Sequence, residues 1–325
     1  MEENLFQQRL DLSALHEGTY RIRTELNKII VGQYKMLDLI LIGLLCDGHI
    51  LIEGVPGVAK TLTAKLVAKV IDVDFSRIQF TPDLMPSDVI GTTIYNAKEG
   101  EFKFKPGPVF SNIILIDEIN RAPAKTQAAL FEVMEERQVT VDGVTHEMRF
   151  PFIILATQNP IEQEGTYRLP EAQLDRFIFK IDVQYPSLQE EIAILNGQHG
   201  RTQLELVNAI SKIVSPADIQ HFRSLVQSII VEPRLIEYIA RIINETRNNP
   251  ALYLGASPRA SLALLRASKA NAAIKGRDFV TPEDIKEMAS PVLRHRIILT
   301  PEKEMEGITE DELIDSILKS VEVPR

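Results

Sequence analysis

The chain has 325 residues, 45% of them hydrophobic and 25% charged. That is the balance of a soluble globular protein with a core large enough for about two domains, and it excludes disordered, collagen-like and disulfide-scaffold classes. The single cysteine, Cys46, can form no intrachain disulfide, and 36 Lys+Arg against 45 Asp+Glu give a net charge of −9, opposite in sign to the basic footprint of a dedicated nucleic-acid binder.

In chain order, residues 1–30 carry Leu10, Leu12, Leu15, Ile22, Leu26 and Ile29 at helical spacings. The first ten residues hold no apolar leader core. The most apolar stretch, 37–55, is interrupted by Asp38, Asp47, His49 and Glu53, short of the roughly 20 residues that a spanning helix needs. The expectation is a cytoplasmic protein without a membrane span. A second helix is predicted over 33–45, stopped at Asp47-Gly48. Ile50-Leu51-Ile52 reads as a strand, 61–70 as a helix and Ile78-Gln79-Phe80 as a second strand. Such alternation predicts a parallel sheet covered by helices.

Two hairpins interrupt that pattern. One spans 93–104 around Gly100. The other spans 138–148 around Asp142-Gly143, a pair suited to a type I′ turn because both central positions need positive φ. Between them, Ile113 to Ile116 reads as a fully buried parallel strand, and 152–156 as another. After Tyr185-Pro186 the periodicities become helical, punctuated by Pro216, Pro233, Pro258, Pro282 and Pro291. The expected domains are therefore an α/β core over 1–186 and an all-α domain over 187–325. The last 26 residues hold eight acidic and three basic residues. Thr309 and Glu312 form a capping box ahead of Leu313, Ile314, Ile317, Leu318 and Val321, so much of the acidity belongs to the solvated face of one terminal helix.

The chemistry concentrates at strand ends. Gly54-Val55-Pro56-Gly57-Val58-Ala59-Lys60-Thr61 follows a strand and opens a helix. In that context backbone N–H groups can surround an anion, Lys60 can reach the β- and γ-phosphates and the Thr61 hydroxyl can ligate Mg²⁺. Ala59 stands where the common pattern has glycine, which a helical φ/ψ at that position would tolerate. Asp117-Glu118 ends the 113–116 strand, where Asp117 can hold Mg²⁺ and Glu118 can orient or deprotonate water. Asn159, at the end of the next strand, can position the same water.

These elements in this order resemble an AAA+ ATPase core. Over about residues 30–300 the sequence resembles the MoxR family, on the loop 54–61, on Asp117-Glu118-Ile119-Asn120-Arg121-Ala122 and on the stretch from Thr157 to Phe177. The resemblance implies a P-loop AAA+ core with β-hairpin inserts, as in the clade that holds magnesium-chelatase ATPase subunits, followed by a helical lid. It implies ATP and Mg²⁺ as ligands, with Arg176 as the finger that reaches a neighbouring subunit's γ-phosphate and Arg259 as a second sensor. Ser257 reads as the N-cap and Pro258 as the first residue of the helix carrying Arg259. Arg121 is assigned to a subunit interface, and Ile30-Val31-Gly32-Gln33 to contact with adenine. A trans arginine implies a homo-oligomeric ring, a hexamer by resemblance. Such rings act as chaperone-like remodellers, often in metalloprotein assembly with von Willebrand-type partner proteins. The alternatives are a metal-chelatase ATPase subunit, a nucleotide switch that does not turn over and a nucleic-acid remodeller. The six histidines and Cys46 show no zinc-ligand spacing. Phe102, Lys103, Phe104 and Lys105 fit a hairpin with one buried face better than a nucleic-acid platform.

Overall fold

The computed structural model describes residues 9–55, 57–159, 167, 169–200 and 202–324. Pro56 and most of the 157–177 motif, residues 160–166 and 168, lie outside them. The chain forms two compact units, one of residues 22–218 and one joining the N-terminal segment up to residue 21 to residues 219–325. The division thus falls after residue 218, against the boundary expected near 186.

The elements that open the chain are α1 (Ser13–Leu26), α2 (Tyr34–Leu45), β1 (His49–Gly54), α3 (Lys60–Ile71), β2 (Phe75–Gln79), α4 (Pro86–Ile90), β3 (Gly91–Asn96) and β4 (Glu101–Pro106). They continue with β5 (Ile113–Asp117), α5 (Ala124–Glu136), β6 (Gln138–Val141), β7 (Val144–Glu147), β8 (Ile153–Gln158), α6 (Glu171–Leu174), β9 (Phe177–Val183), α7 (Leu188–Gln198) and α8 (Gln203–Ala209). A parallel five-stranded sheet runs in the order β2-β5-β8-β1-β9. β5 is buried throughout, and Ile114 and Ile116 pack with Phe80, Val109, Leu130 and Phe177. Ligands of open α/β sheets bind beyond the carboxyl ends of the strands, and the carboxyl ends of β1, β5 and β8 carry Gly54, Asp117 and Gln158.

β9 was not among the expected strands. Phe177 to Val183 pairs parallel with β1, with a shift of register between His49 and Ile50, and Lys180 forms an ion pair with Glu53. Both expected hairpins are present. Asp142 (φ 50°) and Gly143 (φ 79°) supply the two positive φ angles of the turn. The hairpins pack on each other: Thr93 donates to Asp142, and Phe104 stacks on His146 with ring centroids 4.3 Å apart.

The second unit holds all but the first turn of α9 (Pro216–Gln227), with α10 (Pro233–Asn248), β10 (Leu252–Leu254), α11 (Pro258–Ile274), α12 (Pro282–Leu293), β11 (Ile298–Leu299), α13 (Pro301–Met305) and α14 (Glu310–Ser320). It is helical, as expected, apart from a two-stranded ribbon of β10 and β11. Strands of three and two residues are too short to display an alternating pattern. Ser257 caps α11 by accepting from the Arg259 N–H (3.1 Å), with Pro258 as the first helical residue. Thr309 and Glu312 form the expected box at α14.

Candidate active site

The loop after β1 is shaped by backbone conformations that side chains resist. A Cβ on Gly54 would lie 2.5 Å from the Val183 carbonyl oxygen of β9, so this glycine permits the close approach of the two chains. Gly57 has φ 88°. Ala59 was expected in a helical conformation, but it is left-handed, with φ 58° and ψ 20°. Positive φ at 57 and again at 59 reverses the backbone repeatedly, the kind of curvature by which turns gather N–H groups into an anion-binding concavity. The helical expectation failed because the loop needs that reversal before α3 can begin.

Lys60 opens α3 and folds back, its Nζ donating to the Gly54 carbonyl at 2.6 Å. Burial pushes its ammonium below the ordinary lysine range, and the carboxylates of Asp117, Glu53 and Glu118 oppose that shift. A partly desolvated cation of this kind gains when an anion arrives.

Asp117, the last residue of β5, is 9% exposed. Arg77 Nε donates to its Oδ2 at 2.6 Å, and Thr157 Oγ1 donates to its Oδ1 at 3.2 Å. The Thr157 hydroxyl also accepts from the Glu118 N–H at 3.1 Å, which ties the end of β5 to β8. Glu118 is left-handed (φ 57°) and precedes a short 3₁₀ turn, Ile119–Arg121. Its carboxylate accepts from Gln79 Nε2 at 2.7 Å and pairs with Arg121 Nε at 3.1 Å.

Gly54, Gly57, Val58, Ala59, Lys60, Thr61, Asp117, Glu118 and Asn159 line one open cavity of about 430 Å³, together with Arg77, Gln79 and Thr157. Val55 follows β1 in the same loop without lining the cavity. Pro56 lies outside the described residues. Arg121 reaches the site through Glu118. Arg176 is not in the cavity: its NH1 donates to the Phe131 carbonyl at 2.6 Å and lies 3.6 Å from Glu135 of α5. Arg259 is exposed in the first turn of α11, in the other compact unit. Ile30 to Gln33 precede α2 and do not line the cavity.

Arg77, Gln79 and Thr157 were not anticipated. Arg77 and Gln79 alternate along β2 and pair in register with Leu115 and Asp117, so both side chains reach the acidic end of β5. The signal was the i, i+2 spacing of two polar residues in a strand, but only the strand order says which carboxylates they meet.

The residues fit a nucleotide with a hard divalent cation. Among the described residues no group of three or more His, Cys, Asp or Glu could hold a metal alone. Thr61 and Asp117 offer one hydroxyl and one carboxylate, the sparse donor set that suits Mg²⁺, which takes its remaining oxygens from water and substrate phosphates.

A family profile described as "ATPase family associated with various cellular activities (AAA)" matches residues 49–179, and one described as "AAA lid domain" matches 244–317. The chain is 46% identical to the chaperone MoxR1 of Mycobacterium tuberculosis over 93% of its own length and 81% of the relative's. It belongs to the MoxR family of AAA+ ATPases. This MoxR-family chain is also 47% identical to the uncharacterised protein YeaC of Bacillus subtilis, over 95% of its own length and 96% of YeaC. A crystal structure of a candidate ATPase from Cytophaga hutchinsonii superposes on it with a TM-score of 0.86 at 44% identity, covering 97% of this chain and 99% of that one. The MoxR-family assignment makes the chain a nucleotide-binding ATPase, with the profile for the catalytic core matching the unit that holds the cavity. Among its described residues no helix is long and apolar enough to cross a membrane.

Proposed function

We propose that this MoxR-family ATPase is a chaperone-like motor of the cytoplasm that turns over ATP in the cavity around Lys60 and Asp117 and uses the cycle to remodel or mature protein complexes, metalloproteins among them. The observation that carries the reading is the convergence of Lys60, Thr61, Asp117, Glu118 and Asn159 on one cavity. In this reading the 54–61 backbone and Lys60 bind the phosphates, and Thr61 and Asp117 hold Mg²⁺. When bound, the metal supplies charge neutralisation at the phosphate oxygens. Glu118 accepts a proton from the attacking water, and Asn159 helps to orient that water.

Arg176 lies outside its own chain's cavity and is assigned in trans, to the γ-phosphate of a neighbour in a homo-oligomeric ring, by resemblance a hexamer. Arg259 is assigned to the same reaction from the lid. A guanidinium delivered to a transferring phosphoryl is worth about 10³–10⁵ in rate. The chaperone-like role is supported by the chaperone name of the mycobacterial relative, and a von Willebrand-type protein is the proposed partner.

The test is steady-state ATP turnover across protein concentration. Lys60→Ala is expected to lose nucleotide binding, Glu118→Gln to bind ATP without releasing phosphate, and Arg176→Ala to bind ATP and lose the concentration-dependent part of turnover. Unchanged hydrolysis in all three overturns the reading. Tight binding by the wild type without turnover replaces it with a nucleotide switch. Capture with Glu118→Gln in ATP then identifies the client.

A further inference from the structure

Thr157 is the first polar side chain of β8, after four apolar residues, and is buried at 4% exposure. The parallel pairing of β5 with β8 runs from Ile113 with Ile153 to Ile116 with Ala156. One residue further on, the threonine hydroxyl takes over from the ladder. It donates its single proton to Asp117 Oδ1 at 3.2 Å and accepts the Glu118 N–H at 3.1 Å. The partners fix these directions, because an ionised carboxylate only accepts and a backbone N–H only donates. Thr157 lines the cavity, but with its proton committed to Asp117 it has no donor left for a phosphate. What it serves is the pair of acidic residues.

Each of the two bonds fixes something that the acidic residue does not fix by itself. The Asp117 carboxylate has Arg77 on Oδ2 and Thr157 on Oδ1, so both oxygens are held and the plane of the group is set. Arg77 is a half-exposed cation that opposes a metal ion at those oxygens. The threonine is neutral and does not. Glu118 stands in the left-handed region at φ 57°, where a residue of its type persists only if its surroundings over-determine it. Its carbonyl accepts from the Arg121 N–H at 2.8 Å in the turn that follows. Its N–H is held from the neighbouring strand by Thr157. Released at that end, the backbone relaxes toward φ below zero and takes the carboxylate out of its place in the cavity. The γ-methyl contributes as well, since β-branching restricts χ1 and so aims the hydroxyl in advance.

We infer that Thr157 is a positioning residue for hydrolysis, whose one hydroxyl sets Asp117 and Glu118 in place relative to each other. This role rests on the assignment, proposed above, of Asp117 to Mg²⁺ and of Glu118 to the attacking water. Misplacing a reacting group by about 1 Å costs about 10²-fold in rate, which sets the scale of the expected loss.

The experiment compares the wild type with Thr157→Val, Thr157→Ser and Thr157→Ala. Valine keeps the shape and loses the hydroxyl, serine keeps the hydroxyl, and alanine loses hydroxyl and methyl together. At saturating Mg²⁺, Thr157→Val is expected to lower kcat about 10- to 100-fold with the KM for ATP changed by less than about threefold, and Thr157→Ser to stay within about threefold of the wild type. A second readout needs no turnover. In the Glu118→Gln background, Thr157→Val is expected to leave the affinity for a fluorescent ATP analogue unchanged without Mg²⁺. The Mg²⁺ concentration that half-saturates binding should rise about threefold or more, and Thr157→Ser should restore it.

If Thr157→Val fails to fold in a thermal melt, the ratio of kcat between Thr157→Ser and Thr157→Ala carries the test, because the two differ only in the hydroxyl. A ratio of about tenfold or more supports the role, and one below about threefold overturns it. A Thr157→Val protein that melts earlier but keeps its kcat overturns the inference and leaves the hydroxyl a structural tie. A fall in kcat that serine does not restore overturns it too, because packing and not the oxygen then matters. Unchanged hydrolysis in Glu118→Gln overturns the site assignment and this inference with it. Loss of hydrolysis in Glu118→Gln beside normal hydrolysis in Thr157→Val overturns this inference alone.

Discussion

The guanidinium of Arg77 holds the carboxylate of Asp117 at 2.6 Å, from the edge strand β2 to the strand beside it. Asp117 is the residue proposed to take Mg²⁺, so the same oxygen pair has two claimants. Arg77 is half exposed, which caps the strength of the pair: exposed ion pairs contribute at most about 1 kcal/mol. Arg77→Ala is therefore expected to lower the Mg²⁺ concentration that half-saturates nucleotide binding, by about two- to fivefold on that scale. A fluorescent ATP analogue titrated with Mg²⁺ reads it directly. An unchanged midpoint would separate Arg77 from the metal subsite.

Ala59 suggests a stabilising substitution. An L-residue other than glycine, asparagine or aspartate in the left-handed region costs about 1–2 kcal/mol, and Ala59 sits there at φ 58°. Ala59→Gly removes the methyl that resists the turn, though it adds backbone freedom to the unfolded chain. The net expectation is a gain of about 0.5–1 kcal/mol in the denaturation midpoint with ATP turnover retained. Loss of stability would mean that the loop takes a helical conformation at 59 after all.

His49 is a buried tie between three elements. Its Nδ1 accepts from the Ile154 N–H of β8 at 3.0 Å, so the tautomer that satisfies both contacts has Nε2–H donating to the Met134 carbonyl of α5 at 3.1 Å. Its own strand is β1. His49→Phe keeps the bulk beside Phe152 but leaves both backbone groups without a partner. Each buried unsatisfied group costs about 1–3 kcal/mol, so urea denaturation should register a loss of about 2–4 kcal/mol. A loss under about 0.5 kcal/mol would mean that water reaches these groups.

What could be read ahead of the structure was what is local in the chain. The phosphate loop, the Asp117-Glu118 strand end and both hairpins are each encoded within a dozen or so consecutive residues, so composition and spacing suffice. Arg77 and Gln79 escaped because their function depends on β2 lying beside β5, a pairing across 38 residues. β9 carries strand-forming residues but follows directly on Leu174-Asp175-Arg176, and its burial on both faces over Phe177–Phe179 leaves no clean apolar–polar alternation to mark it. The conformation of Ala59 could not be read from residue type, because alanine favours the helix and only the turn's geometry overrides it.

Asp284 gives the helical unit a pH dependence of definite sign. The carboxylate is fully buried in α12 and accepts two bonds of 2.6 Å from Arg277, with further bonds from the Thr281 N–H and hydroxyl and from Asn271. Burial by itself would raise its pKa, but the bonds and charge of Arg277 and the Thr281 donors outweigh burial and hold it below the ordinary carboxylate range. A group whose folded pKa is depressed stabilises the fold above its unfolded value of about 3.9, and that contribution is lost as the pH falls through the folded value. Melting temperature should therefore fall as the pH drops from about 5 to below 4. Asp284→Asn removes the charge but leaves Arg277 half-buried and unpaired with it. It should cost about 3 kcal/mol at neutral pH, as breaking a buried pair does, and make the acid dependence shallower. Equal acid slopes for the two proteins would show that other carboxylates, not Asp284, govern acid unfolding.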